Sequence, residues 1–406
     1  MAQKTKESCV RKDMCRIDGG PLLDVLDLGD IYLNDFLAEG DPAPDKYPLT
    51  LSYATESGLV QLRHTVDPEL MFRTYWYNSG TNESMAEHLR QIVLKTVGVY
   101  TRVHAGDVVV DIGANDATLL SYYSDQIYTV GFDPANIKRT GRCNEFVNEF
   151  FTADRYDALA LKPAKVVTSI AMFYDIDDPG AFARDVNRIL DDDGVWVLEM
   201  HYLQAMLTSN EVDAICHEHL TYYSLKSLSY VLREAGFNIV DIELNDTNGG
   251  SMLVFAKKTI IAPKMSMRAQ SLIAKEDALP LDRELAKFAE RVKQNKINLR
   301  TKLEYLGAED LVLGYGASTK GNTLLQYCEI TQELLPYIAE RNPAKWGRKT
   351  VGSNIPIISE EEARKMNPDY FLALPYHFIE SFKKREVAFL ERGGKFIVPV
   401  PTPQVV

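Results

Sequence analysis

The sequence predicts an α/β protein built from two Rossmann-like, doubly wound units that follow a small, irregular N-terminal module. Three observations predict it. Strand-like apolar runs alternate with helical spacing twice along the chain, the order of a parallel sheet wrapped by helices. Each series opens with a strand that ends in a glycine turn, at Gly113 and at Gly314. The residues before them show neither pattern and are broken by Gly19-Gly20-Pro21, Gly40-Asp41-Pro42 and Ser79-Gly80.

The first part, residues 1–80, is therefore expected to be strand-poor. A helix opens the second part near Ser84, with Met85, Leu89, Ile92, Val93 and Val97 on one face and Thr81 or Asn82 as its cap. Strands over 107–112 and 128–132 flank a helix at 119–123, and strands over 166–170 and 195–200 continue the series. A helix over 224–235 and a pair of strands over 238–243 and 251–257 complete this part at 81–258. In the third part, 259–406, Leu285, Phe288, Val292, Leu299, Leu303 and Leu306 mark one amphipathic helix over 282–306. Buried strands over 311–314, 335–339, 370–374 and 395–398 follow it.

The composition narrows the function classes. Lys and Arg number 45 against 57 Asp and Glu, a formal charge of −12, which repels a phosphate backbone and argues against a nucleic-acid partner. Five cysteines without framework spacing, and no basic-apolar-small leader, point to the cytoplasm. The apolar runs fall far short of the ~20 residues of a spanning helix, so no membrane segment is expected.

The first glycine turn, Asp111-Ile112-Gly113-Ala114-Asn115-Asp116-Ala117-Thr118, lies where a bare backbone and helix-start amides meet a ligand. About 20 residues beyond Gly113, Asp133 ends the next strand, where a carboxylate accepts from both ribose hydroxyls. A dinucleotide fingerprint needs further glycines, but Asn115 and Thr118 stand there, so no pyrophosphate has to be accommodated. An adenosine with a methionine tail, S-adenosylmethionine, suits the turn better. Asp111, Gly113, Asn115, Asp116, Thr118 and Asp133 are its candidate binding residues.

The second turn, Gly314-Tyr315-Gly316-Ala317-Ser318-Thr319-Lys320-Gly321-Asn322, offers Ser318 and Lys320 as phosphate donors. Glu340 stands about where a dinucleotide fold carries its ribose acid, so NAD binding is the rival reading there. The cluster Cys216-His217-Glu218-His219 falls on a loop at the ligand edge of the middle unit. Imidazole titrates near neutrality, so either ring suits removal of an acidic proton beside a carbonyl, with Glu218 fixing a tautomer or a substrate hydroxyl. The bland alternative is a solvated turn. A zinc helix separates its histidines by four positions, whereas these are two apart. In Tyr75-Trp76-Tyr77-Asn78-Ser79-Gly80 the aromatics suit packing, but Tyr77 supplies a phenol if the first module folds over the cleft.

In these motifs and their order the chain resembles the three-domain sugar C-methyltransferases, which methylate TDP-4-keto-deoxysugars at C3. The likeness covers nearly the whole length. It comprises Tyr-x-Tyr-x-Ser-Gly at 75–80, Gly-x-Asn-Asp at 113–116, His-Glu-His at 217–219 and Gly-Tyr-Gly-Ala-x-x-Lys-Gly-Asn-Thr-Leu-Leu at 314–325. Arg341-Asn342-Pro343-Ala344-Lys345 and Ile355-Pro356-Ile357 follow. The resemblance implies an S-adenosylmethionine-dependent enzyme in which His219 is the base, Glu218 and Tyr77 hold the sugar, and the C-terminal unit holds the nucleotide diphosphate. Asn78, Ser79, His217, Ser318, Lys320 and Asn322 are the further residues expected on the substrate. An NAD-dependent nucleotide-sugar oxidoreductase or epimerase, and a non-catalytic nucleotide-sugar-binding homologue, stand as alternatives.

The chain departs from that family in two places. Relatives carry two Cys-x-x-Cys pairs that hold a structural zinc in the first module. Here Cys15, Asp18, Ala54 and Ser57 take those positions, and no metal is expected because a tetrahedral site needs four ligands. Cys216 stands where the family has a tyrosine before His-Glu-His, which removes a phenol next to the base.

Overall fold

The structure is a computed structural model that describes residues 8–42, 44–74, 76–260 and 264–406. Val108–Ile112, buried along its whole length, runs near the middle of a seven-stranded sheet. It pairs in parallel with Tyr128–Phe132 on one side and Ala164–Ile170 on the other. The winding thus reverses at its C-terminal end, the place where open α/β sheets bind ligands. Leu190–His201 adds a parallel strand, and Ser251–Lys258 runs antiparallel between it and Phe237–Asn245. The helix Leu225–Glu234 begins at a capping box between Ser224 and Ser227. The helix expected at 119–123 is only a 3₁₀ turn, Leu120–Tyr122. The residues before it form the glycine turn, with Asn115 (φ 51°) and Ala117 (φ 66°) left-handed, so little chain remains for a helix.

A second sheet of six strands has Val312–Tyr315 at its switch point, parallel to Ile338–Glu340 and to Tyr370–Ala373. The preceding helix Leu281–Gly307 buries Leu285, Phe288, Val292, Leu299 and Leu303, the seam read from the sequence.

The first module is not strand-poor. Leu22–Tyr32, Lys46–Ala54 and Val60–Leu62 pair antiparallel. Their fourth strand, Thr221–Tyr222, comes from the middle unit directly after the His-Glu-His loop. Phe36–Leu37 in turn pairs with Lys349–Thr350 of the C-terminal unit. Nor is the module's core its own: Leu26, Leu49 and Leu51 share one apolar cluster with Leu285, Phe288, Leu324 and Leu325. These two sets of strand and core contacts fasten the module over the ligand edges of both larger sheets. Among the described residues no helix is long and apolar enough to cross a membrane.

Candidate active site

One cavity of about 420 Å³ is lined from all three parts of the chain, by Tyr77 and Ser79, by the first glycine turn and the His-Glu-His loop, and by Ser318 to Lys320. At one end stand Asp111 and Asp133, on adjacent strand ends. Burial pushes Asp111 up to about 7, against the hydrogen bond from Thr168 and helped by the Asp133 carboxylate. Burial also raises Asp133, which accepts the N–H groups of Asn115 and Ala135, each at 2.8 Å. Two buried carboxyls with no basic partner among the described residues favour a cation or hydroxyl donors. Gly113, at φ 74°, leaves the backbone bare: a Cβ there would lie 2.9 Å from Met172 Cγ. This end fits S-adenosylmethionine, with Asp111 available to the ammonium of the methionine tail and Asp133 to the ribose.

The other residues of the turn divide between ligand and scaffold. Thr118 and Asn115 line the cavity. Asn115 also ties the incoming chain down, accepting Ser79 N–H at 3.0 Å and donating to Tyr77 O at 3.1 Å. Asp116 is fully buried outside the lining, where it accepts from Gly80 N at 2.9 Å, Thr140 Oγ1 at 2.6 Å and Thr118 Oγ1 at 2.7 Å. It clamps three segments together and does not face the cavity.

At the other end, His219 donates Nδ1–H to the Ala214 carbonyl at 2.9 Å, which leaves Nε2 bare. Tyr174 packs edge-on against its ring at 4.5 Å. Burial first, and the Lys320 ammonium second, hold this imidazole down at about 3, so it is neutral at physiological pH. Glu218 also lines the cavity; burial raises it, and Asn34 Nδ2 reaches it from the first module at 3.4 Å. His217 points elsewhere: its Nε2 is 3.1 Å from the Tyr47 carbonyl and only 2% of it is exposed, so it anchors the first module. Tyr77 sits at the cavity mouth, 40% exposed, with Ser79 beside it. Asn78 caps no amide with its side chain and is not in the lining. Tyr75 lies outside the described residues.

The second glycine turn is partly engaged by its own protein. A Cβ on Gly316 would meet Pro375 Cγ at 2.6 Å. Glu340 accepts the Ala317 N–H at 2.7 Å, and Ser318 Oγ accepts the Gly321 N–H at 2.9 Å as the helix cap. Asn322 donates to the Asp35 carbonyl at 3.0 Å, away from the cavity. Of the expected donors, Lys320 is the one whose side chain is uncommitted.

Several lining residues have no motif to mark them: Asp175, Glu199, His201, Asp213 and His377. Glu199 accepts from His88 Nε2 at 2.7 Å and Asn245 Nδ2 at 2.7 Å. His201 lies 2.9 Å from Glu211, and Tyr376 donates to Asp213 at 2.7 Å across the boundary between the two larger units. Glu199 and His201 stand at the C-terminal end of a parallel strand, and that position is the signal that would have singled them out.

A family model described as "C-methyltransferase C-terminal domain" matches residues 246–401, "Methyltransferase domain" matches 81–242, and "Putative zinc binding domain" matches 15–72. The C-methyltransferase NovU of Streptomyces niveus is 31% identical over 414 aligned positions, covering 97% of each chain. The chain belongs to the C-methyltransferase family. As a C-methyltransferase it takes its methyl group from S-adenosylmethionine, and the oxidoreductase and non-catalytic alternatives give way to that activity. Among solved structures it is similar to the Burkholderia thailandensis 1,6-didemethyltoxoflavin-N1-methyltransferase (16% identity, 44% of this chain and 80% of that one, TM-score 0.33). The magnesium protoporphyrin IX methyltransferase of Synechocystis PCC 6803 is similar at 13% identity, 44% and 88% coverage and a TM-score of 0.32.

In this C-methyltransferase the ligand positions expected from the resemblance fall on two matching turns of the region similar to the putative zinc-binding domain. Two turns share one hydrogen-bond pattern: Cys15 N–H to Gly20 O and Gly19 N–H to Cys15 O, then Ala54 N–H to Leu59 O and Gly58 N–H to Ala54 O. Gly19 and Gly58 match at φ 68° and 70°. The residues at the four ligand positions do not fit zinc, since Ala54 has no donor atom and Ser57 offers only a neutral hydroxyl. Instead Cys15 Sγ lies 3.6 Å from Ser57 Oγ, and the Asp18 carboxylate accepts Ser57 N–H at 2.9 Å and Gly20 N–H at 2.8 Å.

Proposed function

We propose that the acceptor is a nucleotide-linked keto-sugar, methylated at the carbon beside its ketone after His219 removes a proton there. The supporting observation is the state of His219. Its Nε2 is bare and neutral, and it opens into the same cavity as Asp111, Gly113 and Asp133. When bound, the donor supplies an electrophilic methyl group on a sulfonium. Everything else is the work of the chain: Glu218, steadied by Asn34, is placed to hold a sugar hydroxyl, and Tyr77 covers the mouth with a phenol. In this reading residues 1–80 close the site, 81–258 hold the donor, and 259–406 hold the nucleotide. The sugar class comes from the motif resemblance, and the deprotonation chemistry from the site.

The test is incubation of the enzyme and of His219→Gln with S-adenosylmethionine and a TDP-linked 4-keto-sugar, followed by NMR of the product. A carbon-bound methyl formed by the wild type, with turnover lower by about 10² to 10⁴ in the variant, is expected. Equal turnover, or a methyl on oxygen, overturns the reading.

A further inference from the structure

We infer that Lys320 is a catalytic residue of this reaction, its ammonium facing the ketone oxygen that becomes an enolate, and not an anchor for the nucleotide diphosphate. The inference rests on the keto-sugar reading above and assigns a second reacting group to it.

Three observations carry it. First, Lys320 is the sole Lys or Arg among the described residues that line the cavity, against seven that bear carboxyls, among them Asp175, Asp213 and Glu218. One ammonium among seven carboxyl-bearing residues offers a diphosphate little charge to pair with, whereas a neutral sugar ring needs none. The diphosphate therefore stays outside while the ring enters. Second, two amides of the glycine turn are already bonded, Ala317 N–H to Glu340 and Gly321 N–H to Ser318, and are not offered to a phosphate. Third, Lys320 makes no hydrogen bond or close ion pair with any described residue, although it sits in the first turn of Thr319–Tyr327, where a helix disfavours a cation. It lines the same cavity as the base, and its charge is felt by His219, Cys216, His201 and His377 as well as by the carboxyls of Glu211 and Asp213.

The chemistry needs a group in that position. The bond between hydrogen and the carbon beside the ketone breaks, and the proton goes to His219 Nε2. Its electron pair becomes the carbon–carbon double bond of an enolate, and the carbonyl π pair becomes the negative charge on oxygen. Opposite a preorganised ammonium, that charge is stabilised where it develops. As the enolate carbon bonds to the methyl, the bond between that methyl and the donor's sulfur breaks with its electron pair left on sulfur, the carbonyl returns, and His219 releases its proton to solvent.

The test separates proton removal from nucleotide binding. In D₂O, with S-adenosylhomocysteine in place of the donor, deuterium wash-in beside the ketone is followed by NMR for the wild type, Lys320→Met, Lys320→Arg and His219→Gln. Calorimetry measures TDP alone and S-adenosylhomocysteine on each protein, the latter also reporting an intact fold. Wash-in slowed about 10²-fold or more in Lys320→Met, partly restored in Lys320→Arg, with TDP affinity within about threefold, is the expected result. A tenfold loss of TDP affinity with wash-in unchanged makes Lys320 the phosphate anchor. Wash-in lost in His219→Gln but kept in Lys320→Met overturns the Lys320 assignment alone. No wash-in by the wild type overturns the keto-sugar reading and this inference with it.

Discussion

His219 and Tyr222 converge on one acceptor: the Ala214 carbonyl takes the Nδ1–H of His219 at 2.9 Å and the phenol O–H of Tyr222 at 3.3 Å. Tyr222 belongs to the short strand that completes the antiparallel sheet of the first module. The tautomer of His219 is thus fixed by a carbonyl that the N-terminal sheet helps to hold. If His219 is the base proposed above, that sheet helps to set the orientation of its Nε2.

Replacing Tyr222 by Phe tests that link, since the ring and the strand remain and only the phenol is lost. We expect kcat to fall about tenfold, as suits a positioning residue, with KM for both substrates within about twofold. Slower deuterium wash-in beside the ketone should accompany it. A change confined to thermal stability would mean that Tyr222 only supports the fold.

With the donor's ammonium at Asp111, donor binding is expected to depend on pH. A cationic tail binds the carboxylate and not the acid, and burial places the free enzyme's carboxyl at about 7. Protonation below that value must therefore be reversed on binding, and the donor Kd should rise about tenfold per pH unit between 7 and 5. His219, held near 3, contributes nothing across this window. Calorimetry in buffers of different ionisation enthalpy should show proton release on the acid side, and Asp111→Asn should abolish it. A Kd independent of pH in the wild type would contradict the placement of the donor's ammonium.

The paired turns of the first module allow a gain-of-function test. Because the backbone pattern survives at Cys15–Gly20 and Ala54–Leu59, Asp18→Cys, Ala54→Cys and Ser57→Cys together should restore a four-thiolate site. The triple variant is expected to bind one zinc by elemental analysis and to lose thermal stability on chelation. The unaltered protein should contain no stoichiometric zinc, and a chelator should leave its melting temperature unchanged.

How much of this was legible in the sequence depends on what each signal encodes. Runs such as Val108-Val109-Val110 are buried on both faces, so their strand character shows without context. Leu22–Tyr32 carries Asp24, Asp27, Gly29 and Asp30 on an edge that faces water, and reads as turns until its partner Lys46–Ala54 is known. Thr221–Tyr222 is a strand only because Val60–Leu62 lies beside it. The same holds in the site. A motif marks where a polar residue stands but not which way it points: His219 opens into the cavity, while His217 two positions before it, Asp116 and Asn322 are drawn off by backbone partners. His201, Asp213 and His377 carry no local mark and meet only when the two larger units pack together.

Gly80 is the point where the aromatic segment is pinned to the donor turn. Its N–H donates to Asp116, and a Cβ there would lie 2.6 Å from Asp116 Oδ2 and 2.8 Å from Thr118 Oγ1. Gly80→Ala must displace one of two side chains that brace the turn, at a cost of about 1–3 kcal/mol typical of overpacking. Because the turn itself moves, donor affinity should fall by tenfold or more, beyond what the lost stability predicts for a protein still folded at 25 °C. Asn82→Ala, which removes only the cap of the following helix, is the control: it should lower the melting temperature while leaving donor affinity within about twofold. Equal loss of affinity in both variants would show that the turn responds to general loosening, and that the Gly80 contact has no part of its own in holding the donor site.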